Sequence, residues 1–149
     1  MPSAVILARL LTGEAAAAED IAHEGFIRAA GRFEHLRDVS NFDAYLRRTV
    51  VNLCHARGRS LVRERAALRR ARAIPATASH DHDPEERDVV WSAIQRLPFR
   101  QRAAVVLRYY EDRSEADTAR TLGCSDRAVN ALVSRAMSSL RAELREEEP

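Results

Sequence analysis

The chain of 149 residues contains no lysine: all 24 of its basic residues are arginine. A GC-rich genome, whose codons favour arginine, accounts for that bias. Its consequence is a set of planar guanidinium forks, which suit phosphates and guanine edges better than ammonium groups do. Cysteine is scarce as well. Cys54 and Cys124 fall in different halves without CxxC spacing, which argues against a disulfide framework and against a zinc site. Aromatic residues make up 5% of the chain. Stretches of alternating Val, Ile and Thr are few, so a sheet has little to build on. Long hydrophobic runs are missing too. The apolar stretch from Ala4 to Leu11 is broken by Arg9 and lacks a basic start and a cleavage site; it is too short for a membrane span or a signal peptide. The expected location is cytoplasmic, with no membrane partner.

What is abundant is Ala, Leu, Arg and Glu. These residues lose little rotamer freedom on a helix, so the expected fold is all-α. The net charge of +2 is modest but unevenly spread. Arg57, Arg59, Arg63, Arg65, Arg69, Arg70 and Arg72 are opposed locally only by Glu64, while Glu143, Glu146, Glu147 and Glu148 crowd the C-terminus. The total cancels the charge; space does not. Between Ile74 and Asp83 the sequence has no apolar period and carries Pro and Ser, the signature of a linker. The expected organisation is therefore two small helical domains, residues 1–72 and 84–146, joined by a flexible linker over 73–83. Each is small enough to bury only a limited core.

In the first half, Ala15 to Arg32 reads as one helix with Ile21, Phe26, Ile27 and Ala30 on its apolar face and Ala17 and Ala18 filling the earlier turn. After a polar loop, Glu34–Asn41, a second helix begins near Phe42 with Tyr45, Leu46, Thr49, Val50 and Leu53 inward, and runs on into the arginine-rich segment. The second half opens with a strong start signal: Asp83 as cap, Pro84 at the first helical position, then Glu85 and Glu86. Val90, Ile94 and Leu97 supply the apolar period there; Ala103, Val106, Leu107 and Tyr110 supply it in the next helix. Ser114 and Asp117 then announce a short helix ending at Leu122. Gly123 permits a left-handed turn, and Ser125 caps a last helix with Val129, Leu132, Val133, Ala136, Met137, Leu140 and Leu144 along one stripe. A short helix, a Gly-containing turn and a longer helix make a helix-turn-helix, although a packed helical hairpin shares the pattern. On the exposed side of the last helix lie Arg127 and Asn130, suited to guanine and adenine edges, and Ser134 and Arg135, suited to phosphates, with Ser125 and Ala131 beside them.

The resemblance becomes specific in the motifs Leu97-Pro98-Phe99-Arg100-Gln101-Arg102, Leu107-Arg108-Tyr109-Tyr110-Glu111-Asp112, Ser114-Glu115-Ala116, Leu122-Gly123-Cys124-Ser125 and Ser134-Arg135-Ala136. They resemble region 4 of an extracytoplasmic-function (ECF) sigma factor of the actinobacterial sigma-E-like group. Leu10-Leu11-Thr12-Gly13, the stretch Ala18 to Ala29, and Phe42 to Arg48 leading into Asn52 are similar to region 2 of the same family. The resemblance implies an alternative sigma factor whose partners are core RNA polymerase, promoter DNA and, in some cases, an anti-sigma factor. It implies that Asp20, Glu24 and Phe26 dock the polymerase. It also implies that Tyr45, Arg48 and Asn52, with phosphates held by Arg57, Arg59 and Arg63, engage the −10 element, and that Ser125, Arg127, Asn130, Ala131, Ser134 and Arg135 engage the −35 element. The chain departs from the pattern at several points. The first region 2 helix usually carries on the order of 15 more residues upstream. Gly31 stands at a frequent tryptophan position and His55 at a frequent aspartate. Asn130 and Leu132 stand where basic residues are common.

Two rival readings belong to other classes: a helix-turn-helix regulator acting without polymerase, and a truncated sigma-like chain that only binds an anti-sigma factor. An enzyme is not expected. The sequence has no Gly-rich phosphate loop and no nucleophile elbow, and His80-Asp81-His82-Asp83 has no distant Cys or His cluster to complete a metal site. No catalytic residue, cofactor or metal is called for.

Overall fold

A computed structural model describes residues 2–33, 39–72 and 89–146, and among these residues there is no strand. Among the described residues seven α-helices follow one another: α1 (Pro2–Thr12), α2 (Ala15–Phe33), α3 (Val39–Arg72), α4 (Val89–Arg96), α5 (Phe99–Val105), α6 (Glu115–Leu122) and α7 (Asp126–Glu146). The all-α expectation holds, and the two long helices of the first half are found, with α3 starting at Val39 rather than near Phe42. The linker, the helix start at Asp83 and most of the Glu34–Asn41 loop lie outside the described residues.

The stretch Ala4–Leu11 forms the buried face of α1: Ala4, Leu7, Ala8, Leu10 and Leu11 all turn inward. The helix stops at Thr12, whose hydroxyl donates back to the Ala8 carbonyl at 2.8 Å. Gly13 follows with φ 76°, a conformation that glycine adopts without a Cβ penalty.

The face of α2 differs from the expected one. Its buried residues are Ala17, Ala18, Ile21, Ala22, Gly25 and Ala29, while Phe26 and Ile27 are 38% and 53% exposed. Small residues win the inward stripe because they let α2 lie close against α1 and α3; the large apolar side chains are displaced to the rim. On α3 the expected stripe holds, with Leu46 and Val50 buried and Tyr45, Thr49 and Leu53 half-buried.

In the second half, α5 passes without a break into a π-helical turn over Val106–Tyr110. The Glu111 N–H bonds to the Val106 carbonyl at 3.0 Å, and the wider turn shifts the helical phase. Ala103, Val106 and Leu107 are buried as expected, but Tyr109 and Tyr110 emerge at 59% and 60% exposure. Tyr110 is thus not an inward residue. Val90 is likewise outward, at 42%.

The two halves share their larger core, while Leu97, Val105 and Ala136, with Leu140 against them, form a smaller cluster within the second half. Ala103, Val106 and Leu107 join Leu7, Leu11, Val50 and Cys54 in one cluster, with Trp91, Phe99 and Leu122 packed against it. Polar contacts reinforce this seam. The guanidinium of Arg102 donates to the carbonyls of Leu11, Ile94, Gln95 and Leu97, so one side chain satisfies the open ends of both α1 and α4. Gln95 donates to the Leu10 carbonyl at 2.8 Å. A Cβ at Gly13 would sit 2.9 Å from Gln95 Oε1, so the Gln95 side chain would have to shift.

His55 stacks on Phe99 across the same seam, ring centroids 4.7 Å apart and planes 5° from parallel. Burial, then the nearby Arg59 and Arg100 guanidinium groups, lowers its pKa from the ordinary 6.5. The unfolded chain therefore takes up this proton before the folded one does. The stability tied to neutral His55 is present above about 6.5 and is lost as the pH falls through the lowered value. The urea midpoint is expected to drop between about pH 7.5 and 5.5, and His55→Phe, which keeps the stack, is expected to flatten that part of the slope. Identical slopes in the two proteins would rule His55 out as the titrating group.

Candidate nucleic-acid interface

The helix-turn-helix is built by its caps. Ser114 caps α6 in extended conformation, its hydroxyl accepting from the Asp117 N–H at 3.0 Å. Asp117 also pairs with Arg120, and that hydrogen bond lowers its pKa. At the far end Gly123 adopts φ 66° and ψ 39°, and the Cys124 N–H reaches back to the Ala119 carbonyl at 3.0 Å. This left-handed step turns the chain within three residues, as the sequence required. Ser125 then caps α7 by accepting from the Ala128 N–H at 3.1 Å. One lone pair of its oxygen thus serves the helix start.

Val129 and Ala136 anchor α7 to the body, with Leu132, Val133, Met137, Leu140 and Leu144 half-buried beside them. At 100° per residue, Arg127, Asn130, Ala131 and Ser134 fall within about 100° of arc on the other side, with Arg135 at its edge. Arg127, Asn130, Ser134 and Arg135 are exposed and Ala131 is half-buried. The structure therefore brings this group onto one face. Asn130 carries a feature invisible in the sequence pattern: its amide donates to Glu115 Oε1 of α6 at 2.9 Å.

A second face belongs to α3. Tyr45, Arg48, Asn52, Arg59 and Arg63 lie within about 60° of arc on the helix surface, and Arg48, Asn52, Arg59 and Arg63 are exposed. Arg57 points roughly the other way and pairs with Glu14 at 2.9 Å. It stands apart from the cluster to which the sequence reading assigned it. Tyr45 is half-buried and belongs to an aromatic chain absent from that reading as a unit. Phe26 meets Phe42 edge to face at 5.8 Å, Phe42 meets Phe33 at 6.0 Å, and Phe33 meets Tyr45 at 5.2 Å. The Arg32 guanidinium lies over the Tyr45 ring at 5.3 Å. The spacing of Phe26 and Phe33 by seven, and of Phe42 and Tyr45 by three, was the available signal.

On α2, Asp20 and Glu24 are both exposed, and Glu24 pairs with Arg28 one turn on at 2.8 Å. Ile27 shares their side of the helix, whereas Phe26 lies about a third of a turn round. The apolar residue beside the acids is thus Ile27. Among the described residues no helix is long and apolar enough to cross a membrane, and no group of three His, Cys, Asp or Glu gathers to hold a metal. His80–Asp83 lies outside the described residues. Cys54 is buried and free, with its thiol pushed up to about 12 by burial, so it is no nucleophile near neutral pH.

A cationic, aromatic-flanked helix and a helix-turn-helix on one shared core define a DNA-binding protein built from two regions. The sigma-70 region 2 family matches residues 2–64 and the sigma-70 region 4 family matches residues 87–140. The RNA polymerase sigma-E factor of Streptomyces coelicolor is 32% identical over 140 residues, covering 92% of this chain and 77% of that protein. The ECF RNA polymerase sigma factor SigM of Mycobacterium tuberculosis is 35% identical over 145 residues, covering 90% and 67%. The fold resembles that of the sigma factor RpoE solved with the anti-sigma factor NepR from Bartonella quintana, with a TM-score of 0.69, 22% identity and coverage of 99% and 92%. The chain belongs to the ECF RNA polymerase sigma factors. It is an alternative sigma factor that directs core RNA polymerase to promoters, by recognition rather than by covalent chemistry.

Proposed function

We propose that the division of labour within the chain follows its two regions. Residues 1–72 hold the polymerase and open the −10 element, and residues 84–146 read the −35 element across a linker at 73–83. The observation that carries this is the segregation of three surfaces: the acids of α2, the cationic arc of α3 and the exposed arc of α7. Asp20 and Glu24, with Ile27 and Phe26 beside them, offer a basic partner helix charge together with apolar area. The arc of Arg48, Asn52, Arg59 and Arg63 tracks a strand backbone, while the ring chain ending at Tyr45 offers a stacking surface for an unpaired base. Arg127 and Asn130 read base edges, and Ser134 and Arg135 hold phosphates. The protein works in the cytoplasm, where its DNA and polymerase are, and an anti-sigma factor is among its partners, as it is for the RpoE protein of similar fold.

The test is the affinity of the full chain for core RNA polymerase. Glu24→Arg reverses charge at an exposed position of α2, where the carboxylate pairs with Arg28 one turn on at 2.8 Å, so folding is expected to survive. Binding is expected to weaken roughly tenfold. Unchanged affinity would remove α2 from the docking surface, and no binding by the unaltered chain would leave a DNA-binding regulator or a sequestering chain.

The α3 arc makes a separate forecast. Replacing Arg59 and Arg63 together by alanine is expected to reduce the slope of log affinity against log salt by about 1.4 if the contacted DNA is single-stranded, and by about 1.8 if it is duplex. Arg57→Ala is expected to leave that slope unchanged, because Arg57 is held by Glu14 on the far side of the helix. Equal effects of Arg57 and Arg59 would show that the face assignment is wrong.

A further inference from the structure

We propose that Glu115 is a positioning residue for base recognition: it holds the Asn130 amide so that α7 reads an adenine in the major groove. The inference rests on the reading above that α7 enters that groove. Its origin is the hydrogen bond from Asn130 Nδ2 to Glu115 Oε1, 2.9 Å long and spanning the helix-turn-helix. Glu115 is the first residue of α6, immediately after the Ser114 cap, so its backbone is fixed. Asn130 sits in the second turn of α7 between Arg127 and Ser134, among the exposed residues of that helix.

An amide at the end of a short side chain has a broad, two-fold terminal torsion, so a free asparagine presents its oxygen and its nitrogen in either order. A carboxylate can only accept. Placed beside Asn130, Glu115 draws the NH2 group towards α6 and leaves Oδ1 and the second N–H directed away from it. That edge carries one acceptor and one donor in fixed order. Adenine offers the complement in the major groove, an acceptor at N7 and a donor at N6. Guanine offers two acceptors, cytosine a lone donor and thymine an acceptor beside a methyl group. A held asparagine therefore matches one base and opposes its Oδ1 to a guanine acceptor.

The pair puts an uncharged side chain on α7 between the cations Arg127 and Arg135. Asn130 forgoes phosphate attraction, and Glu115 adds a negative charge near the DNA. Both lower affinity for any sequence. What is gained is discrimination at one position, so the pair favours selectivity over retention. This predicts an unusual sign. Removing Glu115 is expected to strengthen binding to DNA at large while weakening the choice of base, which mere damage to the fold would not do.

The experiment uses the full chain on core RNA polymerase, a duplex library randomised across the −35 element, and sequencing of the retained DNA. The unaltered protein is expected to favour adenine at one position by roughly 5- to 150-fold. Asn130→Ala is expected to flatten that position to within about twofold. Glu115→Ala is expected to cut the same preference at least about fivefold while total retention stays equal or rises. Glu115→Gln, whose amide oxygen still accepts from Asn130, is expected to keep the preference within about twofold. The proposal is overturned if Glu115→Ala leaves the adenine preference intact. It is also overturned if Glu115→Ala alters a cytosine position that Asn130→Ala does not, since Glu115 would then read a base itself. If Arg127→Ala and Asn130→Ala both leave the enriched sequence unchanged, the groove reading fails, and this inference falls with it.

Discussion

Replacing Arg102 by methionine is expected to destabilise the folded chain by about 3–5 kcal/mol, far more than a typical surface substitution. Methionine fills the volume of the stem but offers no donor, and the carbonyls of Leu11, Ile94, Gln95 and Leu97 lose a shared partner at once. Charge-assisted bonds are the stronger kind, and carbonyls stranded at half-buried helix ends keep their desolvation cost. For a chain of this size the loss corresponds to a fall in Tm of about 10 °C. Lysine is expected to recover less than half of it, because an ammonium group cannot span four acceptors with the guanidinium fork. A methionine variant that loses less than about 1 kcal/mol would mean that water already serves these carbonyls.

The second large effect is expected at Leu107, which is fully buried in the cluster shared by both regions. Leu107→Ala removes three methyl-sized groups from a site walled by two sets of helices, and a loss of about 2–5 kcal/mol is expected. How the loss appears matters more than its size. A core private to region 4 would leave region 2 intact when it weakens, giving two transitions. A shared core melts as one unit. Trp91 is the only tryptophan and packs against that cluster, so its fluorescence reports the seam while far-UV circular dichroism reports all helices. The two signals are expected to coincide, in the unaltered chain and in Leu107→Ala alike. A midpoint difference between them would show that the regions unfold independently.

Much of this architecture was legible in the sequence, for reasons that are local. The bounds of α2, the extent of α3 into the arginine run, and the α6–turn–α7 unit follow from caps, a left-handed glycine and a 3.6-residue period. All of these act within a few residues. The exposed arc of α7 was legible for the same reason: an anchored stripe fixes what lies opposite. The misreadings have physical causes. Hydrophobicity chose Phe26 and Ile27 as the inward face of α2, whereas close approach of helices rewarded Ala22, Gly25 and Ala29. Tyr110 was placed by counting at 3.6 per turn through a π turn that counts differently. Arg57 was grouped by its neighbours in sequence, while the helical period sets it on the opposite side of α3, beside Glu14, 43 residues away. The Glu115–Asn130 bond and the bracket at Arg102 join elements that no periodicity relates.

The direction of synthesis gives the shared core a temporal side. Leu7 and Leu11 of α1 are partners of Val106 and Leu107 in one cluster, and those partners are made almost a hundred residues later. At a translation rate of 5–20 residues per second, roughly 5–20 s pass between the two. Through that interval α1 can lean on α2 and α3, but the patch that α5 will cover stays open to water, and Leu11 lacks the guanidinium that closes its carbonyl. The first region thus leaves the ribosome unfinished, completed by the region made last. Contacts of such long sequence separation slow the final closure, and the nascent chain passes through its most aggregation-prone state just before α5 arrives.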